Sequence, residues 1–205
     1  MSTRSGPAVP QPFVPARGMV FVLLVAAFAS YAFVPSGLLA HLLAMFERLG
    51  LDRTTAVAIG TLFGPCQVAA RLCEFIFARS VHPLVIARFA VGMLVAAFVL
   101  FGVFGLSAVV GAAFMMLLGL GNGLITIARG TVPLALFGAS GYGRLIGRIA
   151  GPSLIIQSAA PLVLAFVAER TSDPAAIAVA AGMALISFAC FLAIRRPRIA
   201  TRDTT

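Results

Sequence analysis

The chain has 205 residues, of which 61% are hydrophobic and only 10% are charged. Soluble domains carry about 45–50% apolar and about 25% charged residues, so a water-soluble fold of this size would expose far more apolar surface than it could bury. The fifteen basic residues, all Arg, outnumber the six acidic ones and give a net charge of +9. Because they are scattered between apolar runs and form no basic helix, we exclude a nucleic-acid partner.

Six apolar stretches follow one another along the chain, each long enough to cross a bilayer, which needs roughly 20 mostly apolar residues. Backbone polar groups in lipid must bond internally, and the stretches are too long and too little alternating for barrel strands, so we predict helices. The sequence thus predicts an all-α membrane protein with one six-span domain over 18–196, a flexible Pro-rich tail or linker piece at 1–17 and a second tail at 197–205. The stretches run about 18–46, 54–78, 84–104, 107–128, 142–168 and 175–195.

The distribution of Arg predicts how these spans are oriented. With six spans, the two termini, the loop between spans two and three and the loop between spans four and five share one side. That side holds twelve of the fifteen Arg residues, whereas the other side holds Arg48, Arg53 and Arg170. Positive residues concentrate on the cytoplasmic side, so we expect a multi-pass protein of the cell (inner) membrane with both termini cytoplasmic.

The second span carries a stripe of polar groups near its cytoplasmic end. Gln67, Arg71 and Glu74 are spaced at i, i+4 and i+7, and Arg71 and Glu74 are spaced to pair. Ionisable groups inside a span are costly and usually face the bundle interior. We interpret Arg71 and Glu74 as a gating cluster. An interfacial Arg whose head reaches water beside a partly hydrated Glu remains the alternative.

Four residues are candidates for contacting a substrate or a coupling ion: His41, Gln67, Asn122 and Gln157. His titrates near neutral pH, so His41 could couple proton movement, or it could be a bonded structural residue. Asn122 lies in the run 119–123, where three glycines alternate with other residues. No strand precedes this run and it lies within a span, so close helix packing explains it better than dinucleotide binding.

Two Gly-Pro pairs suggest an internal repeat. Gly64-Pro65 lies about ten residues into the second span, and Gly151-Pro152 lies at a similar depth in the fifth. If the chain consists of two three-helix repeats, these are corresponding positions, and Pro-interrupted helices at matching places mark the moving parts of transporters. We therefore predict helix hinges there. The general abundance of Gly and Pro in membrane helices is the alternative.

The segment 70–79 resembles a motif of the major facilitator superfamily, G-R-L-x-D-R-x-G-R-R, found where the second helix of each half meets the cytoplasm. Arg71, Leu72 and Arg79 match, and Glu74 stands where Asp is usual. The segment 40–51 also looks like the seventh helix and following loop of bacterial members. The resemblance implies the C-terminal six-helix half of such a transporter over about 17–196, with gating roles for Arg71, Glu74 and Arg79. The motif departs at Ala70, Phe75, Phe77 and Ala78.

The predicted function is transport of a small solute by alternating access. The chain would act as a six-span half or a truncated form of such a carrier. Proton coupling through His41 or Glu74 is an additional possibility. The expected partners are the lipid bilayer, the solute and a second six-span half or a second copy. No cofactor or metal is expected. The alternative is a non-transporting protein, either a truncated remnant or an interaction subunit. We predict no enzyme, since the G-x-S-G run around Ser140 has no His downstream to act as base.

Overall fold

The computed structural model describes residues 18–77 and 81–195, which are helical apart from short connections. Six helical segments in this part of the chain are long and apolar enough to cross a membrane, which confirms an all-α chain with six segments of spanning length. The predicted tails and Arg79 lie outside the described residues. The helices are α1 (Met19–Arg48), α2 (Arg53–Thr61), α3 (Phe63–Phe77), α4 (Pro83–Phe104), α5 (Ala108–Phe137), α6 (Tyr142–Arg170) and α7 (Asp173–Ala193).

The second span, Arg53–Ile76, has a one-residue break at Leu62 between α2 and α3. Leu62 keeps helical backbone angles (φ −66°, ψ −25°), and its carbonyl accepts the N–H of Cys66 at 3.2 Å, so the break is a local irregularity in an otherwise continuous span. Pro65 lies in the first turn of α3 and has no N–H to donate to the carbonyl of Thr61, so a continuous helix would lose a hydrogen bond there. Before this point the last turn of α2 tightens, with the N–H of Leu62 donating to the carbonyl of Ile59 at 3.1 Å. The break thus falls next to the predicted Gly64-Pro65 hinge.

The helix ends carry ordinary caps. Asp52, Ser107 and Ser172 each accept a hydrogen bond from a backbone N–H in the first turn of the helix that follows. Helix α5 continues beyond the apolar stretch that ends near 128, and stops only at Gly138, whose φ of 77° suits a residue without a Cβ. The connection to α6 is therefore short, and Arg129 lies inside a helix.

Two helices organise the packing. Helix α1 packs against α6 and α7, and α5 packs against α3 and α4, while α4 and α7 contact each other. Edge-to-face aromatic pairs reinforce two of these contacts. The ring centroids of Phe28 and Phe191 lie 5.2 Å apart between α1 and α7, and those of Phe98 and Phe114 lie 5.4 Å apart between α4 and α5. The core thus lies along α1, α4 and α5.

The glycines of α5 set its distance from its neighbours. A methyl group added at Gly119 would lie 2.6 Å from the carbonyl oxygen of Phe63 in α3, and one at Gly121 would lie 2.7 Å from the carbonyl oxygen of Ala90 in α4. Gly123 approaches the backbone of α3 as closely. Small residues that let backbones approach are the usual basis of helix contact in membranes. The geometry supports the packing interpretation of 119–123.

Arg88 fastens the end of α7 to α4. Its guanidinium donates to the carbonyls of Phe191 (3.0 Å), Leu192 (3.4 Å) and Ile194 (2.6 Å). The last carbonyls of a helix have no intrahelical donor, and a cation near them also favours the helix dipole. Arg88 therefore caps α7 and has no need of a carboxylate partner.

Candidate functional site

A polar cavity of about 290 Å³ lies where α1, α3, α5 and α6 meet. Most of its lining positions fall near the middle of their spans, and α4 and α7 contribute none. Polar groups in the middle of spanning helices are costly unless they line a water-filled cavity or bind a ligand. The lining residues are Ala32, Pro35, Ser36, Leu39, Phe63, Asn122, Thr126, Arg129 and Gln157.

Two of the predicted contact residues, Asn122 and Gln157, come together at this cavity. Asn122 reaches it from α5 and Gln157 from α6. Phe63, the first residue after the break in the second span, forms part of the wall. The polar centre of the molecule and the interruption of its second span therefore occupy the same place.

Helix α1 is fastened to α6 at the cavity wall by Ser36. Pro161 has no N–H, which leaves the carbonyl of Gln157 without its helical donor. The hydroxyl of Ser36 donates to that carbonyl at 2.8 Å. In membranes, Ser and Thr side chains commonly satisfy backbone groups that a proline has freed. The bond uses only the backbone of Gln157, so its side-chain amide stays available to the cavity.

Arg129 stands between this cavity and a smaller one. The second cavity, of about 120 Å³, is lined mainly by apolar side chains of α6 and by Phe28. The Nε of Arg129 is buried and has no hydrogen-bond partner among the described residues. Tyr31 is fully buried, and its hydroxyl is also without a described hydrogen-bond partner. No described carboxylate lines either cavity.

Arg71 reaches the same region from α3. One terminal nitrogen, Nη2, lies 3.5 Å from Oγ1 of Thr126, and that hydroxyl donates to the carbonyl of Asn122 at 2.7 Å. The Nε of Arg71 is buried without a partner among the described residues. Arg71 therefore connects the C-terminal half of α3 to the wall of the polar cavity.

The expected pairing of Arg71 with Glu74 is not formed. Arg71 turns toward α5, where Thr126 offers a nearby acceptor, whereas Glu74 faces a separate, largely apolar cavity of about 420 Å³ between α3, α4 and α5. Oε2 of Glu74 is buried and has no hydrogen-bond partner in the described part of the chain. Spacing at i, i+3 allows a pair but does not force one when a neighbouring helix supplies another acceptor.

His41 and Gln67 lie away from the polar cavity. Nε2 of His41 is 3.0 Å from the carbonyl oxygen of Pro161, and the ring lines a small space of about 70 Å³ with Arg48 and Glu169. This geometry is that of the bonded structural histidine, and a coupling role for His41 remains a prediction. Gln67 presents its backbone carbonyl to Gly123 and lines none of the described cavities.

The two predicted hinges differ. At Gly64-Pro65 the helix is interrupted just before the pair, whereas α6 continues through Gly151-Pro152. A methyl group added at Gly64 or Gly151 would meet no atom within 4 Å. Neither glycine is therefore required by packing in this conformation, and a role in movement remains a prediction.

Sequence reasoning missed Arg129, Tyr31 and Ser36 as members of the site. Arg129 had a visible signal, since it continues the stripe of Asn122 and Thr126. Tyr31 and Ser36 had none, because their places depend on which face of α1 meets α5 and α6. Protein-family models give no match to the chain, and no curated protein matches it. The interpretation of the site therefore rests on its residues and geometry.

Proposed function

We propose that the protein is a six-span unit of a major-facilitator-type carrier that moves a small solute across the cell (inner) membrane by alternating access. The observation that carries this proposal is the polar cavity at the middle of four spans, beside the break in the second. Secondary transporters hold their solute near the bilayer midplane, at discontinuous helices. Most residues that line the cavity lie near the middle of their spans, and the one-residue break at Leu62 lies directly before Phe63 in its wall.

The pattern of helix contacts supports two inverted repeats. Exchanging α1 with α5, α3 with α6 and α4 with α7 turns the α1–α6 contact into α5–α3 and the α1–α7 contact into α5–α4, and both exist. The α4–α7 contact maps onto itself. The α6–α7 contact lacks an equally strong α3–α4 counterpart. Because each triplet has three spans, the second triplet begins on the opposite side of the membrane from the first, as in inverted-repeat carriers.

We assign gating to the cytoplasmic end of α3. Arg71 reaches across to Thr126 in this conformation, so separating α3 from α5 would break a contact made directly at the solute cavity. Glu74, and Arg79 outside the described residues, complete the proposed gate. Proton coupling, where present, would involve Glu74 or His41.

A second six-span unit is the proposed partner. Gln157 is exposed on α6 at the cavity, whereas the exposed hydroxyls of Ser158 and Thr126 donate to the carbonyls of Leu154 and Asn122. Lipid tails offer the side-chain amide of Gln157 no hydrogen bond, so leaving it uncovered costs free energy. A second copy or a different six-span chain would cover this face and close the cavity from the other side.

The test is solute uptake by the purified chain in proteoliposomes, alone and together with any six-span chain encoded beside it. Transport by either preparation is expected. Arg71→Ala should abolish it, whereas Arg144→Ala, an exposed cytoplasmic-side change in α6, should leave it unchanged. Unaltered transport in Arg71→Ala would remove the gating assignment. Inert preparations across a broad solute panel would instead favour a non-transporting interaction subunit.

A further inference from the structure

We infer that the polar cavity is an organic-anion site, in which the carboxylate of a small, partly apolar solute lies against Arg129 and Arg71. This inference deepens the proposed function: that the bound anion is also the transported solute rests on the carrier proposal.

Neither Arg71 nor Arg129 has a compensating acid among the described residues. At the outer ends of the helices, acids and Arg residues meet: Arg48 lies 3.1 Å from Asp173, and Arg53 lies 3.9 Å from Glu47. Arg71 and Arg129 form no ion pair with any described residue. A guanidinium placed within a span normally has an anionic or carbonyl partner, because removing its charge from water costs several kcal/mol.

Arg129 is half-buried within α5, two turns before the helix ends at Phe137. It lines both the polar cavity and the smaller one, and its Nε is buried and unbonded within the described structure. The polar cavity is therefore a space in which an anion can contact its guanidinium.

Arg71 approaches the same wall of the cavity as Arg129. Thr126 lines the cavity one turn from Arg129 on α5, and Nη2 of Arg71 lies 3.5 Å from the Thr126 hydroxyl, directly behind that wall. A guanidinium presents a planar set of N–H donors that matches a carboxylate, often with two parallel bonds. The amides of Asn122 and Gln157 add neutral donors on the remaining walls. Two cations and two amides form a donor set for anionic oxygens.

Apolar side chains lie on both sides of Arg129. Leu39 and Phe63 line the polar cavity itself, and Phe28, Ile146 and Ile149 line the smaller one. An aromatic ring or a branched hydrocarbon chain can lie against Leu39 and Phe63 while its carboxylate contacts Arg129. A cationic solute would be repelled by both guanidiniums, and a fully polar one would leave the apolar wall without a partner. The chemical class is therefore a small carboxylate with an apolar body.

The experiment measures binding to the purified chain in lipid nanodiscs by titration calorimetry and by the shift in the unfolding midpoint. The probes are benzoate and 3-methylbutanoate, each beside its neutral amide, with benzylamine as the cationic analogue. Saturable binding of at least one carboxylate is expected, weakened about tenfold or more in the amide and in benzylamine. Arg129→Met should weaken it by a similar factor.

Arg148→Met is the matched control, because the Arg148 guanidinium lies 4.7 Å from the ring centre of Phe21 and outside the polar cavity. It should leave carboxylate binding unchanged. If Arg129→Met fails to fold, Arg129→Lys keeps the charge but loses the planar donor set, and should weaken binding several-fold. Equal binding of carboxylate and benzylamine, no carboxylate binding, or full binding in both Arg129 variants would overturn the anion site.

The two proposals fail separately. Uptake of some solute by proteoliposomes without carboxylate binding would contradict the anion site and leave the carrier standing. Carboxylate binding that depends on Arg129 without uptake of any solute would contradict the carrier and leave the anion site standing.

Discussion

The α3–α5 and α1–α6 contacts correspond in the proposed repeat, yet they are built from different chemistry. Between α3 and α5, Gly119 and Gly123 bring the two backbones together, and added methyl groups have no room. Between α1 and α6, Ser36 and His41 bond to the carbonyls of Gln157 and Pro161. One contact depends on the absence of side chains and the other on polar side chains that bind backbone carbonyls.

The difference shows that similar sequence signals produce different local structures. Both spans carry a Gly-Pro pair at similar depth, but only the second span is interrupted. The fifth span contains two prolines, Pro152 and Pro161, and remains one helix. Ser36 satisfies the carbonyl that Pro161 frees, so a neighbouring helix supports α6 where its own backbone cannot. Helix continuity at a proline is decided partly by the partner helix.

The largest expected effect comes from closing the space between α3 and α5. In Gly123→Ala the new methyl group would meet the backbone of Gln67 and the side chain of Ala70, so we expect a loss of about 2–3 kcal/mol. The measurement is the free energy of unfolding in detergent micelles. Gly147→Ala on α6 is the control, since its methyl group meets nothing within 4 Å. Equal stability of the two variants would show that the glycine contact is not tight.

A smaller effect is expected from the α1–α6 contact. Ser36→Ala leaves the carbonyl of Gln157 without a donor and should cost roughly 1 kcal/mol. In a Pro161→Ala background the backbone N–H of residue 161 can restore the helical bond to that carbonyl, so the same substitution should cost less. The double-mutant cycle measures this coupling. Additive effects would mean that Ser36 does not compensate for the proline.

A still smaller effect is expected at the start of α2. Asp52 caps this helix with its side chain, whereas α6 begins after Gly141 and has no side-chain cap. The Thr55 backbone N–H, donating at 2.9 Å, lowers the pKa of the Asp52 carboxyl below its ordinary value of 3.8. Because the pKa is lower in the folded state, the ionised carboxylate stabilises the cap at pH values above 3.8. This stabilisation is lost as the pH falls through the lowered pKa. Hydrogen exchange of the Thr55 amide should accelerate over that acidic range relative to Asp52→Asn, which keeps an uncharged cap. Identical pH profiles would contradict the assignment.

The hinge glycines should have no measurable effect on stability. Neither Gly64→Ala nor Gly151→Ala introduces a contact in this conformation, so the unfolding midpoint should stay the same or rise slightly. If the pairs act as hinges, uptake should slow in both variants. Slower uptake in Gly64→Ala alone would restrict movement to the interrupted span. Unchanged uptake in both would remove the hinge assignment.

Much of the fold could be predicted because the spans are marked by composition alone. The site could be predicted only in part. Asn122 and Gln157 were identifiable as polar residues within apolar runs, and the stripe ending at Arg129 was visible. The contact of Arg71 with Thr126, in place of Glu74, depends on which helix lies beside α3, and local spacing does not encode that. The same holds for Ser36, whose acceptor is a backbone carbonyl 121 positions away.

The most direct test of the central claim is water access to the cavity from each side of the membrane. With Cys66, Cys73 and Cys190 replaced by Ala, an Asn122→Cys variant is treated with a membrane-impermeant thiol reagent in right-side-out and in inside-out vesicles. Leu185→Cys, 54% exposed on α7, a helix that lines no part of the polar cavity, is the lipid-facing control. Alternating access predicts labelling at 122 from both sides and none at 185. Labelling of 122 from neither side would contradict a solute cavity at mid-membrane, and labelling from one side only would contradict alternating access.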